Sequence, residues 1–209
     1  GRVGDPIMAF KLLTSRTHNE STEISKILES ENKRRKELDE RIFKEAAELA
    51  EKTFNPNDRA LVLVGDNWHL GVIGIVASRL VEKYYRPVVL ISTIDDGVGK
   101  GSSRSIPGFH LLDAIRSTSH LLSKFGGHKY AAGLCIEPEN IEEFRHAFLE
   151  YANAHLSDAD LIQQLHIDAK TNVDDVNMDL LNWLELFAPH GPENMRPVFL
   201  LENVDIIGN

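Results

Sequence analysis

The chain has 209 residues, of which 42% are hydrophobic and 26% charged, with one cysteine and a formal net charge of −9. That composition excludes an intrinsically disordered chain, and no apolar run approaches the length of a membrane span. Cys135 alone excludes an internal disulfide and a Cys-rich zinc site.

The length suits one large domain or two small ones, with ample material for a core. Nothing at the start reads as a signal peptide, and the single thiol fits a reducing, cytoplasmic compartment. The sequence begins without methionine and ends in what reads as a strand and turn. It therefore reads as a piece of a longer protein.

Pro6 to Leu13 reads as a short helix with proline near its start. One long helix is expected from about Asn19 to Phe54, capped within Thr17–Glu20 or by Asn19 itself. Its apolar residues, among them Ile24, Ile27, Leu38, Ile42 and Ala46, recur at three and four positions. The middle, Glu29 to Glu37, is nearly all polar, which fits a strut between domains or an arm of a helical hairpin.

Asn55-Pro56-Asn57-Asp58 ends that helix. Ala60–Val64 reads as a buried strand, and Gly71–Tyr85 as a helix with Val72, Ile75, Val76 and Leu80 inside. Pro87–Ser92 reads as a second strand. Strand, helix, strand in about 33 residues makes a βαβ unit with a parallel pair. A Gly/Ser-rich strand is expected over Val98–Ser105, helix over Leu111–Lys124, strand over Ala131–Ile136 and an amphipathic helix over Glu139–His155. After that, Leu161–Ala169 alternates like a strand, Asp174–Phe187 reads as a helix and Pro197–Ile207 as a strand. The fold class is thus α/β, with βαβ units on a mixed sheet and a small β domain following.

Charge is unevenly spread. From Gly97 to Gly133 there are five Lys/Arg and one acid, with seven of the chain's 14 glycines. From Leu134 onward there are three bases and fifteen acids. A local positive field steers an anionic ligand even when the total charge is negative.

Gly99-Lys100-Gly101-Ser102-Ser103-Arg104-Ser105 resembles a P-loop but fails its pattern, since Gly101 follows Lys100 where Ser or Thr is required. What remains is two cations, hydroxyls and uncovered backbone N–H groups. Ser102 and Arg104 are two apart, so on a strand they share a face and make a fork for a phosphate. A solvated edge strand is the alternative.

Gly126-Gly127-His128 lets the backbone approach a ligand, with His128 able to donate to a phosphate or help a metal-bound water; a helix C-cap at Gly126 is the alternative. The small residues Ala131-Ala132-Gly133 beside it leave room for a bulky partner. Asp66-Asn67-Trp68-His69-Leu70-Gly71-Val72 opens a helix after a strand, where anions bind. The alternative there is Trp68 capping the core and His69 starting the helix. Ala188–Asn194, with two prolines and a glycine, reads as a rigid turn. No His/Asp cluster has metal spacing, and no Ser-His-Asp arrangement is visible.

"GDNWHLGVIGIVASRLVEKYYRPVVLIS", "GKGSSRSIPGFHLLDAI" and "FGGHKYAAGL" stand in this order. Their order and spacing resemble the RecJ family of single-strand-specific 5′→3′ DNA exonucleases, among the DHH phosphoesterases. "GRVGDPIMAFKLL" is similar to the tail of the family's DHH domain, and "LFAPHGPENMRPVF" to the segment opening its OB-type domain. Departures are His190, where the family usually has Phe, and Glu193-Asn194-Met195, where it has Gly-Asn-Pro.

The resemblance implies a DHH tail over 1–18, a connecting helix over 19–54, a DHH-associated substrate-binding domain over 55–156 and the start of an OB-like domain over 157–209. It implies that Ser102 and Arg104 hold a terminal 5′-phosphate, with Lys100, Trp68 and His69 as further contacts. Gly126, Gly127 and catalytic His128 would face the scissile phosphate. Two divalent ions, Mn or Mg, would be held by a DHH domain upstream of Gly1, so that this chain alone is inactive and carries no metal ligands.

Implied partners are single-stranded DNA, a single-strand-binding protein and a RecQ-type helicase, in DNA repair and recombination, with no membrane. A phosphodiesterase of small nucleotides sharing the GGH loop, or a non-catalytic nucleic-acid-binding module, are the alternatives.

Overall fold

The computed structural model describes residues 3–93 and 97–205. Two compact units divide the chain, Gly1–Ile162 and Gln163–Asn209.

The first unit opens with helix α1 (Ile7–Thr14) and the 36-residue helix α2 (His18–Thr53). Thr17 caps α2, its hydroxyl accepting from the Glu20 N–H, which satisfies one of the orphan donors at a helix start. Ile42, Ala46, Ala47 and Ala50 are buried along one stripe of α2. They pack against Val72, Ile73, Val76, Ala77 and Leu80 of α3 (Leu70–Tyr84). Small residues on α2 let the two helices approach. Arg79 of α3 lies over the Phe43 ring at 3.8 Å and pairs with Asp39, so charged groups seal the rim of this seam. Ile75, expected inside, is only half-buried, and its neighbours matter below.

A five-stranded sheet carries the unit. Its strands are β1 (Leu61–Asp66), β2 (Val88–Thr93), β3 (Gly99–Arg104), β4 (Leu122–Gly127) and β5 (Ala131–Ile136), in the order β1-β2-β3-β5-β4. β1 and β2 pair in parallel through α3, as the βαβ spacing requires, and every other pair is antiparallel. Period-two alternation splits β2 between two cores. Val88 and Leu90 meet α2 and α3. Val89 and Ile91 meet the other layer, formed by α4 (Leu111–Ser117) and α5 (Ile141–His155), where Phe109, Phe144 and Phe148 pack ring against ring.

Within the first unit one element departs from the sequence reading. The helix expected to Lys124 ends at Ser117, followed by a single 3₁₀ turn at Ser119–Leu121 and then edge strand β4. The Ser117 and Thr118 hydroxyls donate to the carbonyls of Ala114 and Ile115, closing the helix end locally. A register shift between Leu122 and Lys124 leaves Ser123 as a bulge, a common device on edge strands.

The second unit holds β6 (Ala169–Lys170) and β7 (Phe199–Leu200), a short parallel pair, with α6 (Met178–Glu185) capped by the Asn177 side chain. Leu161–Ala169 and Pro197–Ile207 were expected as full strands. Among the described residues only Ala169 of the first and Phe199–Leu200 of the second are strand, and Ile206 and Ile207 lie outside the described residues. No described residue of this unit is buried. An alternating segment with no face to bury against gains little from a ladder. The Ala188–Asn194 turn is held by the Asn194 amide, which donates to the carbonyls of Phe187 and Pro189.

Candidate nucleic-acid interface

β3 sets the site through its alternation. Gly99 and Ser103 turn to the core, and the Ser103 hydroxyl donates to Ala132 O at 2.9 Å. Lys100, Ser102 and Arg104 turn to the opposite face, which α3 covers in part. There the Arg104 Nη1 donates to Ser102 Oγ at 3.3 Å and to Ser103 O at 2.7 Å, so the guanidinium is held flat beside the hydroxyl.

Above that pair α3 presents Gly71, Gly74 and Ser78, one turn apart along one side. A pocket of about 450 Å³ opens between helix and strand, lined by Leu70, Gly71, Gly74, Ile75, Ser78, Ser102 and Arg104. A Cβ at Gly74 would stand 2.8 Å from Arg104 Nη2 and 3.0 Å from Ser102 Oγ. Gly74 and Ser78 were not singled out from sequence, while Leu70 and Gly71 closed the Asp66–Val72 stretch that was. The visible signal was two glycines and a serine spaced at three and four positions in the mostly apolar first part of the helix.

The register carries the face outward from the pocket. Ser102 pairs with Gly133, which pairs with Gly126; Lys100 pairs with Cys135, which pairs with Lys124. Cross-strand partners share a face. One surface therefore runs from the Ser102–Arg104 pair over a floor of Ala131, Gly133 and Cys135 to Gly126 at the edge. Lys100 and Lys124 stand exposed on either side of that floor. Lys124 was not singled out from sequence, because a helical reading of Leu111–Lys124 gives it no fixed face.

The turn after β4 is anchored by its backbone. The His128 N–H donates to Ala131 O at 2.7 Å, while the carbonyls of Lys129 and Tyr130 accept from the N–H groups of Leu111 and Ser105. His128 is thus fixed beside the end of β3 and remains exposed. Gly126 is not a helix cap; it lies in the edge strand. Its added Cβ would meet nothing within 4 Å, whereas at Gly127, with φ +154°, a Cβ would strike Ala131 O and Ala132 Cα at 2.4 Å.

Two further sequence candidates have partners within the fold. Trp68 is 4% exposed, its indole donates to Glu45 Oε2 at 2.9 Å, and its ring lies against Gly65, where a Cβ would come within 2.1 Å. That burial corrects the ligand-contact reading. His69 is the N-cap of α3, its Nδ1 accepting from the Gly71 N–H at 3.1 Å. Among the described residues no group of three or more His, Cys, Asp or Glu could hold a metal ion. The residues described do not fit a divalent-ion site, and no step of metal chemistry is assigned to them.

Comparison with known proteins finds two domain families along the chain. Residues 57–154 match the DHHA1 domain and residues 167–209 the RecJ OB domain. The chain joins a DHHA1 domain to a RecJ OB domain, in that order. It is 32% identical over 204 residues to the Bacillus subtilis "single-stranded-DNA-specific exonuclease RecJ", covering 97% of this chain and 26% of that protein. It is 32% identical over 206 residues to the Escherichia coli RecJ, covering 95% and 36%.

RecJ of Thermus thermophilus, solved in complex with Mg²⁺, superposes with a TM-score of 0.83 at 30% identity, covering 95% of this chain and 30% of that one. The same protein with Mn²⁺ gives 0.84. The chain therefore spans between about a quarter and about a third of the length of these RecJ relatives. Among the described residues no helix is long and apolar enough to cross a membrane.

Proposed function

We propose that this chain is the strand-holding part of a RecJ-type 5′→3′ exonuclease for single-stranded DNA, acting in repair and recombination. The observation that carries the reading is the Ser102–Arg104 pair beneath the glycines of α3, on the same sheet face as Gly126.

A guanidinium and a hydroxyl on one wall offer several donors to a phosphate's oxygens in fixed geometry. The pair would hold a terminal 5′-phosphate. The strand would then cross the small-residue floor, where Gly133 lets a sugar-phosphate backbone lie close. Lys100 and Lys124 would add charge along that path. At the edge Gly126 leaves open space, and the anchored His128 would donate from its ring to the scissile phosphate.

Divalent ions, Mg or Mn as in the Thermus structures, would be supplied with their ligands by a DHH domain, so the chain alone is expected to be inactive. Residues 1–18 would be the tail of that domain, 19–54 the connecting helix, 55–156 the substrate domain and 157–209 the opening of the OB domain. A single-strand-binding protein and a RecQ-type helicase are the partners this role calls for.

Fluorescence anisotropy of a labelled single-stranded oligonucleotide tests the reading. Binding should favour a 5′-phosphate over a 5′-hydroxyl end. Arg104→Ala should remove that preference, a loss of roughly 1.5–3 kcal/mol for a charged hydrogen bond. Equal binding of both ends by the parent chain would contradict it.

A further inference from the structure

We propose that Gly74 is a positioning residue for Arg104, and that its missing side chain is what lets the pocket distinguish a phosphorylated strand end. This rests on the reading of that pocket as a phosphate site. Gly74 is the fifth of fifteen residues in α3, where glycine is the poorest helix former after proline. Its backbone is helical, so no left-handed conformation demands it.

The reason lies in what a Cβ would meet. The three nearest atoms are Arg104 Nη2 at 2.8 Å, Ser102 Oγ at 3.0 Å and Arg104 Cζ at 3.5 Å, all belonging to the polar pair of the pocket. The three glycines with contacts shorter still or equally short differ in kind. At Gly65 a Cβ meets the buried Trp68 ring, at Gly101 it meets the Leu134 side chain, and at Gly127 it meets backbone. Those three glycines serve packing. Gly74 instead leaves room for the end of a long, flexible side chain. A methyl group there pushes the guanidinium aside and leaves the helix in place. It moves the donors off the wall where Ser102 Oγ accepts from Nη1.

The test is the ratio of affinities for 5′-phosphate and 5′-hydroxyl oligonucleotides, measured by anisotropy on the 209-residue chain for the parent, Gly74→Ala, Arg104→Ala and the double variant, with thermal melts of each. Expected for Gly74→Ala is a melting temperature equal to or above the parent's and an end preference reduced about tenfold, as losing one charged hydrogen bond would give. In the Arg104→Ala background Gly74→Ala should change nothing further, because it acts through that side chain.

A Gly74→Ala chain that keeps its end preference while Arg104→Ala loses it overturns the role of Gly74 and leaves the phosphate site standing. Additive losses, or a fall in melting temperature of more than about 5 °C, overturn it too, since a methyl that displaces only side chains should not unfold the helix. If Arg104→Ala itself keeps the preference, the phosphate site fails and takes this inference with it.

Discussion

Gly126 and Gly127 are neighbours with opposite demands on the fold. Gly127 needs glycine because a Cβ would sit 2.4 Å from backbone atoms of Ala131 and Ala132. Gly127→Ala should cost roughly 2 kcal/mol or more in urea unfolding, the size expected where the native conformation is incompatible with a side chain. Gly126 faces open space. Gly126→Ala should unfold within about 0.5 kcal/mol of the parent, as surface changes do, yet weaken binding of single-stranded DNA.

Trp68→Ala should cost about 3–5 kcal/mol as a large-to-small core change, with little specific effect on end preference in whatever fraction stays folded. At Asp160 the Ser157 hydroxyl and then the Ser157 N–H hold the carboxyl below its ordinary range; nearby Arg59 adds to this and burial opposes it. A carboxylate depressed in the folded state adds stability above its unfolded pKa and loses it as pH falls through the folded one. The melting temperature of Asp160→Asn should therefore fall less than the parent's on acidification below about pH 4.

At the scale of elements, the βαβ unit was legible because buried strands and an amphipathic helix have distinct periods. Ala60–Val64, Gly71–Tyr85 and Pro87–Ser92 correspond to β1, α3 and β2 within one or two residues. The same reading missed β4. Leu121 and Leu122 continue the apolar rhythm of α4, and Ser123-Lys124-Phe125 carries no alternation that marks a strand. Only pairing with β5 makes it one. The face shared by Lys100 and Lys124 was hidden for that reason, since register is a tertiary fact. Placed on one face, each lysine should neutralise about one phosphate. Lys100→Ala and Lys124→Ala should each lower the slope of log affinity against log salt by about one. Lys26→Ala, on α2, should leave the slope unchanged.

Across the whole molecule, the negative total charge concealed a basic glycine-rich stretch, and that stretch became β3, β4 and β5. The unit Gln163–Asn209 is acidic, with eight acids against two bases, and none of its described residues is buried. Its strands were over-read because alternation in sequence signals a strand only where a core exists to receive one face. The pocket beneath α3 could not be read from sequence for a related reason. Gly74 and Arg104 are far apart along the chain, and only the crossover of α3 onto β3 brings them together.

The most direct test of the proposed DNA-binding face is a titration of the isotope-labelled chain with a 5′-phosphorylated hexathymidylate, followed by amide NMR. Gly71, Gly74, Ser102, Arg104, Gly133 and Gly126–His128 should shift most, with a 5′-hydroxyl strand leaving the first four nearly unmoved. Shifts confined to residues 163–205, or identical patterns for both ends, would contradict the placement of the strand on β3, β5 and β4.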